Sequence, residues 1–102
     1  MAHRFYVVAT LRVRSGEIAR FEMYERQALA IAAQHGGRLE QAVRSEVRDG
    51  ACTEVHVLSF PTPEAFSSFR ADPGIYALAG LREAVVAETQ VTVGFQVTAY
   101  AN

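Results

Sequence analysis

Along this chain apolar and polar residues alternate, pass into three- and four-residue spacing, and then alternate again. Residues 4–13 are rich in Val, Phe and Tyr and contain neither Gly nor Pro, which predicts a first strand. Ile18, Phe21, Tyr24, Ala28 and Ile31 then recur at helical steps and give a helix one apolar face. Ser15 is placed to cap that helix and Glu17 to favour its positive end, and Glu22 and Arg26 have the spacing of a solvated pair. Gly36-Gly37 ends the helix, since glycine takes the left-handed cap conformation at little cost.

The most informative stretch runs over residues 35–81. Alternation returns over residues 38–48, with Leu39, Val43 and Val47 on one side and Glu40, Arg44, Glu46 and Arg48 on the other. Asp49-Gly50 predicts a hairpin turn, and residues 53–60 a third strand. Thr62-Pro63-Glu64 combines a cap, a proline at the first helical position and an early carboxylate, which predicts a helix with Phe66 and Phe69 inward. Asp72-Pro73 breaks that helix, and Asp72 can cap a second segment carrying Ile75, Leu78, Leu81 and Val85. Residues 89–99 read as a last strand. The order β-α-β-β-α-β predicts an α+β, ferredoxin-like domain over residues 1–102, a four-stranded antiparallel sheet with helices on one face. Right-handed crossovers put the first and third strands in its centre.

Parity divides the sheet residues. If the helix-facing side is uniformly apolar, it carries Phe5, Val7, Ala9, Leu11, Leu39, Val43, Val55, Val57, Val91, Val93 and Phe95. The other side then carries Tyr6, Val8, Thr10, Glu40, Arg44, His56, Leu58, Phe60, Gln90, Thr92 and Gln96. So mixed a face suits packing on a second sheet around a partly polar cavity. Half the residues are hydrophobic, whereas a chain this short buries only about 60–70% of its unfolded surface. A second copy is the simplest cover for the surplus.

Composition removes several classes of chemistry. Every one of the basic residues is arginine, so lysine Schiff-base chemistry is excluded. A formal net charge of −1 without a basic run gives no footprint for nucleic acid. The third strand also lacks the basic and aromatic platform of an RNA-binding module of the same strand order. The single cysteine, Cys52, allows no intrachain disulfide and has no base beside it in sequence. No secretory leader and no membrane-spanning stretch is expected, so the expected location is the cytoplasm. His3, His35 and His56 lack metal-ligand spacing, and no phosphate-binding or dinucleotide motif occurs, so neither metal nor cofactor is expected.

Three stretches, YERQALAIAAQHGGRLE, EVHVLSFPTPEAFSSFRADP and IYALAGLREA, resemble the dimeric α+β barrel superfamily. Within it the likeness is to a family of short bacterial proteins of unknown function, and next to that to the NIPSNAP family. The resemblance implies a homodimer joined through sheet faces, with a cavity in or beside the barrel, and it carries over no catalytic residue. Superfamily members include cofactor-independent monooxygenases, haem enzymes and lactone isomerases, and no site residue of theirs is matched here.

Among candidate residues, His56 lies mid-strand and suits a general base or a ligand anchor. Arg44 suits an anionic ligand, and Tyr6, Glu40 and Gln96 share its predicted face. Arg70, Asp72 and Tyr76 surround the helix break. Three functions stay open: a binder of a small organic molecule, anionic or not, in a sheet-face cavity, a cofactor-independent monooxygenase or isomerase with His56 as base, and a noncatalytic dimerisation module.

Overall fold

The first strand, β1 (Phe5–Val13), buries Phe5, Val7, Leu11 and Val13 and turns Tyr6, Val8, Thr10 and Arg12 the other way, the period of two that an extended chain imposes. The computed structural model describes residues 3–100. After β1 come α1 (Ile18–Gln34), β2 (Arg38–Arg44), β3 (Cys52–Phe60), α2 (Pro63–Arg70), α3 (Pro73–Ala77), α4 (Ala79–Val85) and β4 (Val86–Gly94). The strands form one antiparallel sheet in the order β2-β3-β1-β4, with β1 and β3 central. This is the ferredoxin-like α+β fold that the element order predicts. The Cα atoms span 44 × 42 × 17 Å, so the domain is thin in one direction, as a single sheet carrying a single helical layer must be. No helix among the described residues is long and apolar enough to cross a membrane.

Helix α1 buries Phe21, Tyr24, Ala28 and Ala32 against the sheet. One core gathers Leu11, Val13, Phe21, Tyr24, Ala28, Cys52, Val85 and Val86. A second gathers Phe5, Val7, Ala32 and Phe60, with Phe66 and Phe69 of α2 packed on it. The turn after α1 is set by close approach. Gly36 has φ +75°, and a Cβ on Gly37 would lie 2.7 Å from the Phe60 ring and 2.8 Å from the Ala32 carbonyl. Asp49 and Gly50 both have positive φ, 54° and 74°, and close the hairpin between Arg48 and Ala51. Thr62 accepts from the Ala65 amide at 3.0 Å, and Asp72 from the Gly74 amide at 2.7 Å, so both expected caps form.

Several local expectations give way. Ser15 does not cap α1; it donates to the Asp49 carbonyl, while the Gly16 amide bonds the Gly50 carbonyl at 3.0 Å. This ties the β1–α1 turn to the hairpin and delays the helix to Ile18. Glu22 leaves Arg26 and pairs with Arg44 at 2.9 Å, because Arg44, already held by Glu54, presents its fork there. Strand β2 ends at Arg44 and β4 at Gly94, both short of the expected limits. The second crossover breaks twice, at Asp72 and again at Leu78, which caps α3 and opens α4.

The register changes the parity reading for two strands. Phe5, Val7, Ala9 and Leu11 face Phe60, Leu58, His56 and Glu54 across the β1–β3 pair. Cross-strand partners share a face, so His56, Leu58 and Phe60 lie under the helices, and Val55 and Val57 lie on the open side. In β2 the register slips between Leu39 and Gln41, so Leu39, Ala42 and Arg44 share the helix side and Val43 the open side. A one-residue slip reverses every side chain beyond it. Strands β1 and β4 keep the expected faces.

Candidate functional site

Between the sheet and the helices lies a cavity of about 380 Å³. Its walls are mostly apolar, from Val7, Ala9, Leu58, Phe60, Phe66 and Phe69. Tyr24, Glu25, His56, Arg82 and Thr89 also line it, and Arg70 stands beside Phe66 with its guanidinium 5.5 Å from that ring's centre. The site combines an apolar body with a small set of polar groups, the usual make-up of a small-molecule pocket.

His56 sits opposite Ala9 on the central strand pair and is 3% exposed. Its Nε2 lies 2.7 Å from Glu54 Oε1, and its Nδ1 lies 3.4 Å from Glu25 Oε2. The strand itself supplies the first contact, since residues two apart point to one face. Glu54 also accepts from Arg44 Nε at 2.6 Å, and another Arg44 nitrogen reaches Glu22 at 2.9 Å. A chain of alternating acidic and basic side chains thus runs Glu22, Arg44, Glu54, His56, Glu25, from the edge of the sheet into the cavity.

The environments of the two inner carboxylates differ. Burial alone would raise the Glu54 carboxyl, but the bonds from His56 and Arg44 outweigh it and hold the group below the usual carboxylate range. Burial raises Glu25, with Glu54 adding to the rise and His56 and Arg82 opposing it. Burial likewise raises the Tyr24 phenol, against the Arg82 guanidinium beside it. Arg44, bonded first by Glu22 and then by Glu54, is held still more firmly as a cation. Two titratable groups pushed apart in this way are a common mark of acid–base sites. Cys52 is buried, and its thiol is raised by that burial, which suits packing rather than attack.

The five sequence candidates do not form one site. His56 and Arg44 lie on the helix side, although Arg44 contacts the Glu54 end of the chain of charges and does not line the cavity. Tyr6 and Gln96 line an open-face hollow of about 680 Å³ with His3, Arg4, Phe95 and Val97. Glu40, the residue skipped by the β2 slip, accepts from Ser59 at 2.6 Å, and Ser59 in turn accepts from Arg4 at 2.7 Å. The expected juxtaposition of His56 with Tyr6 is therefore absent, because the two side chains leave opposite faces of the sheet. At the helix break, Asp72 accepts from Gly74 and pairs with His35 Nε2 at 2.8 Å; Tyr76 is exposed.

Glu25, Glu54, Tyr24 and Arg82 were not among the sequence candidates. Glu54 had a signal, since Glu-x-His on a strand places both side chains on one face. Glu25 had a fainter one, lying four residues after Phe21 and three before Ala28 on the inward side of α1. Among the described residues, no three His, Cys, Asp or Glu side chains are grouped so as to hold a metal ion. The His56 ring stands between the two carboxylates instead of beside them.

Fold and cavity define a ferredoxin-like α+β protein whose sheet carries a pocket under its helices. Residues 4–95 match the family described as a domain of unknown function (DUF1330), and the chain belongs to it. No curated protein matches it. Similar solved structures include a protein of unknown function from Rhodopseudomonas palustris, with TM-score 0.79 and 15% identity over 97% of this chain and 86% of that one. A NIPSNAP family protein of unknown function from Agrobacterium tumefaciens has TM-score 0.69 and 21% identity over 91% and 87%. SnoaB, a cofactor-independent oxygenase from Streptomyces nogalater, has TM-score 0.66 and 19% identity over 99% and 97%. At such identities the likeness is one of fold.

Proposed function

We propose that this protein binds a small organic molecule, mostly apolar and carrying one anionic or hydroxylic end, in the cavity between sheet and helices. The observation that carries the reading is the division of that cavity's lining. Phe60, Phe66, Phe69 and Leu58 offer an aromatic and aliphatic wall, while Tyr24, Glu25, His56 and Arg82 offer donors, a cation and a carboxylate. A volume of about 380 Å³ falls at the small end of the usual range of roughly 300–1,000 Å³ for ligand pockets. The test is a thermal-shift screen of aryl carboxylates, aryl 2-oxo acids and phenols. A dose-dependent rise that Arg82→Gln weakens supports the reading, and no rise with any of the three classes removes it.

The reading includes a homodimer paired through the open sheet faces, in a cytoplasmic setting that suits a lone free cysteine. Val8 faces Val57 and Thr10 faces Val55 at the centre of that face, and Val43 beside them is 54% exposed. An uncovered strip of this kind, on a domain one helical layer thick, is what a second sheet would bury. Arg12, Arg38 and Glu88 at the margins would remain wet.

A further inference from the structure

Glu25 differs from every other charged group around His56. Glu54, Arg44 and Glu22 are all hydrogen-bonded to one another or to His56, and Arg82 donates to Thr89. Glu25 has no hydrogen-bond donor among the described residues; its one ion-pair contact among them is His56 Nδ1 at 3.4 Å. Both residues line the cavity, and the Glu25 side chain is the more open of the two, 16% exposed against 4% for His56. It also lines a second, smaller hollow between α1, β2 and β3. A carboxylate on the inward side of a helix costs desolvation that an apolar residue there would avoid. The fold retains one whose lone pairs are left for something else.

The surroundings state what that is. His56 is held by Glu54 at Nε2 and turns Nδ1 toward Glu25, which makes it the fixed partner of Glu25. Tyr24 and Arg82 stand on the same wall. The Arg82 guanidinium is near enough to the Tyr24 phenol to oppose the rise that burial imposes on it, and the phenol offers a hydroxyl donor. A base, a hydroxyl donor and a cation around an aromatic-walled space are the parts needed to take a proton from carbon and hold the resulting oxyanion.

We propose that Glu25 is a general base that removes a proton from the carbon next to the carbonyl of a small aryl-bearing 2-oxo acid. This rests on the binding reading above. The C–H bond breaks and its proton passes to a Glu25 oxygen. The electron pair forms the C=C bond, and the carbonyl π pair moves onto oxygen as an enolate beside Arg82 and the Tyr24 hydroxyl. Return of the proton to carbon restores the ketone, and its delivery to oxygen gives the enol. No oxidant, reductant or water is consumed, and the net reaction is a proton shift. Burial, which raises the Glu25 carboxyl, brings it closer to the basicity such a step needs.

The test uses phenylpyruvate in deuterated buffer. Loss of its methylene proton signal is followed by NMR, and binding is followed separately by saturation transfer from the protein. The wild type accelerates exchange over buffer. Glu25→Gln still binds and loses at least about 100-fold of that acceleration. Glu25→Asp keeps the charge beside His56 but withdraws the carboxylate by one methylene, and it loses on the order of 100-fold. Binding without accelerated exchange overturns the proton-transfer role and leaves the binding reading standing. Failure to bind overturns both for this ligand class. Exchange unchanged in either variant removes Glu25 from the reaction.

Discussion

Replacing Glu54 tests the chain of charges that fixes His56. Glu54→Ala removes two acceptors at once, 2.7 Å from His56 Nε2 and 2.6 Å from Arg44 Nε. The two losses differ in weight. His56 is 3% exposed, so its ring nitrogen loses a partner that water cannot readily replace, a cost of about 1.5–3 kcal/mol. The Arg44 side chain is 34% exposed and keeps Glu22 at 2.9 Å, so its loss is that of a screened surface pair, about 0–1 kcal/mol. The sum is about 1.5–4 kcal/mol, a large share of the stability of a small domain. Glu54→Gln is gentler. Its carbonyl oxygen still accepts from Arg44, and its amide donates to Nε2 of a neutral His56 whose Nδ1–H then points at Glu25, for a cost of about 1 kcal/mol. Urea unfolding at pH 7 measures both. An alanine variant within about 1 kcal/mol of wild type, or a glutamine variant as costly as alanine, would refute the reasoning, since neither outcome is compatible with a buried imidazole that depends on Glu54.

Other perturbations reach different parts of the account. Glu25→Gln should raise the melting temperature at neutral pH: burial raises the folded carboxyl, so the cost of its charge is absent below the unfolded value of about 4.3 and grows as pH rises through the folded one. The advantage should fade on acidification below about pH 4, read by a melting series in which Glu54, His56, Arg82 and Tyr24 stay native. Asp72 behaves with the opposite sign: His35 first and the Gly74 amide second hold its carboxyl low. Its contribution is present above the unfolded value of about 3.9 and is lost as pH falls through the folded one. Asp72→Asn should therefore melt below wild type at pH 6, with the gap closing in acid. Gly37→Ala should destabilise by about 1–3 kcal/mol in the same urea assay, since its Cβ would meet the Phe60 ring at 2.7 Å and the Ala32 carbonyl at 2.8 Å. Val57→Asp should convert the proposed dimer to monomer by light scattering, with the fold retained by circular dichroism.

The fold was legible because its elements carry their own signals. Gly36-Gly37, Asp49-Gly50, Thr62-Pro63 and Asp72-Pro73 mark where the chain turns, and each mark coincides with an observed boundary or cap. The site was legible only in part. Strand β3 is apolar on both parities, Val55 and Val57 on one and Leu58 and Phe60 on the other, so local pattern cannot decide which side meets the helices. Pairing with β1 decides it, because Phe5, Val7 and Leu11 are unambiguous and force Phe60, Leu58 and Glu54 to their side. That placement brings His56 under the helices with a polar neighbour on each ring nitrogen. Strand β2 hides its faces for a different reason: the slip at Glu40 is a long-range accommodation between strands, and nothing in residues 38–44 announces it. Glu25 carries little signal because a carboxylate on an amphipathic helix ordinarily points to water. Only the packing of α1 on β3 turns it inward.

The central claim is that the space under the helices, and not the open sheet face, receives the ligand. Ala9 lines that space on β1 directly across from His56. Ala9→Phe fills part of the cavity with apolar volume and leaves Tyr6, Gln96 and the open face as they are. Calorimetric titration of phenylpyruvate into wild type and this variant, with folding checked by circular dichroism, is the direct measurement. The account predicts binding weakened by about tenfold or more, on the order of 1.4 kcal/mol, in a folded variant. Undiminished binding to Ala9→Phe, with loss of binding on Tyr6→Ala instead, would contradict it.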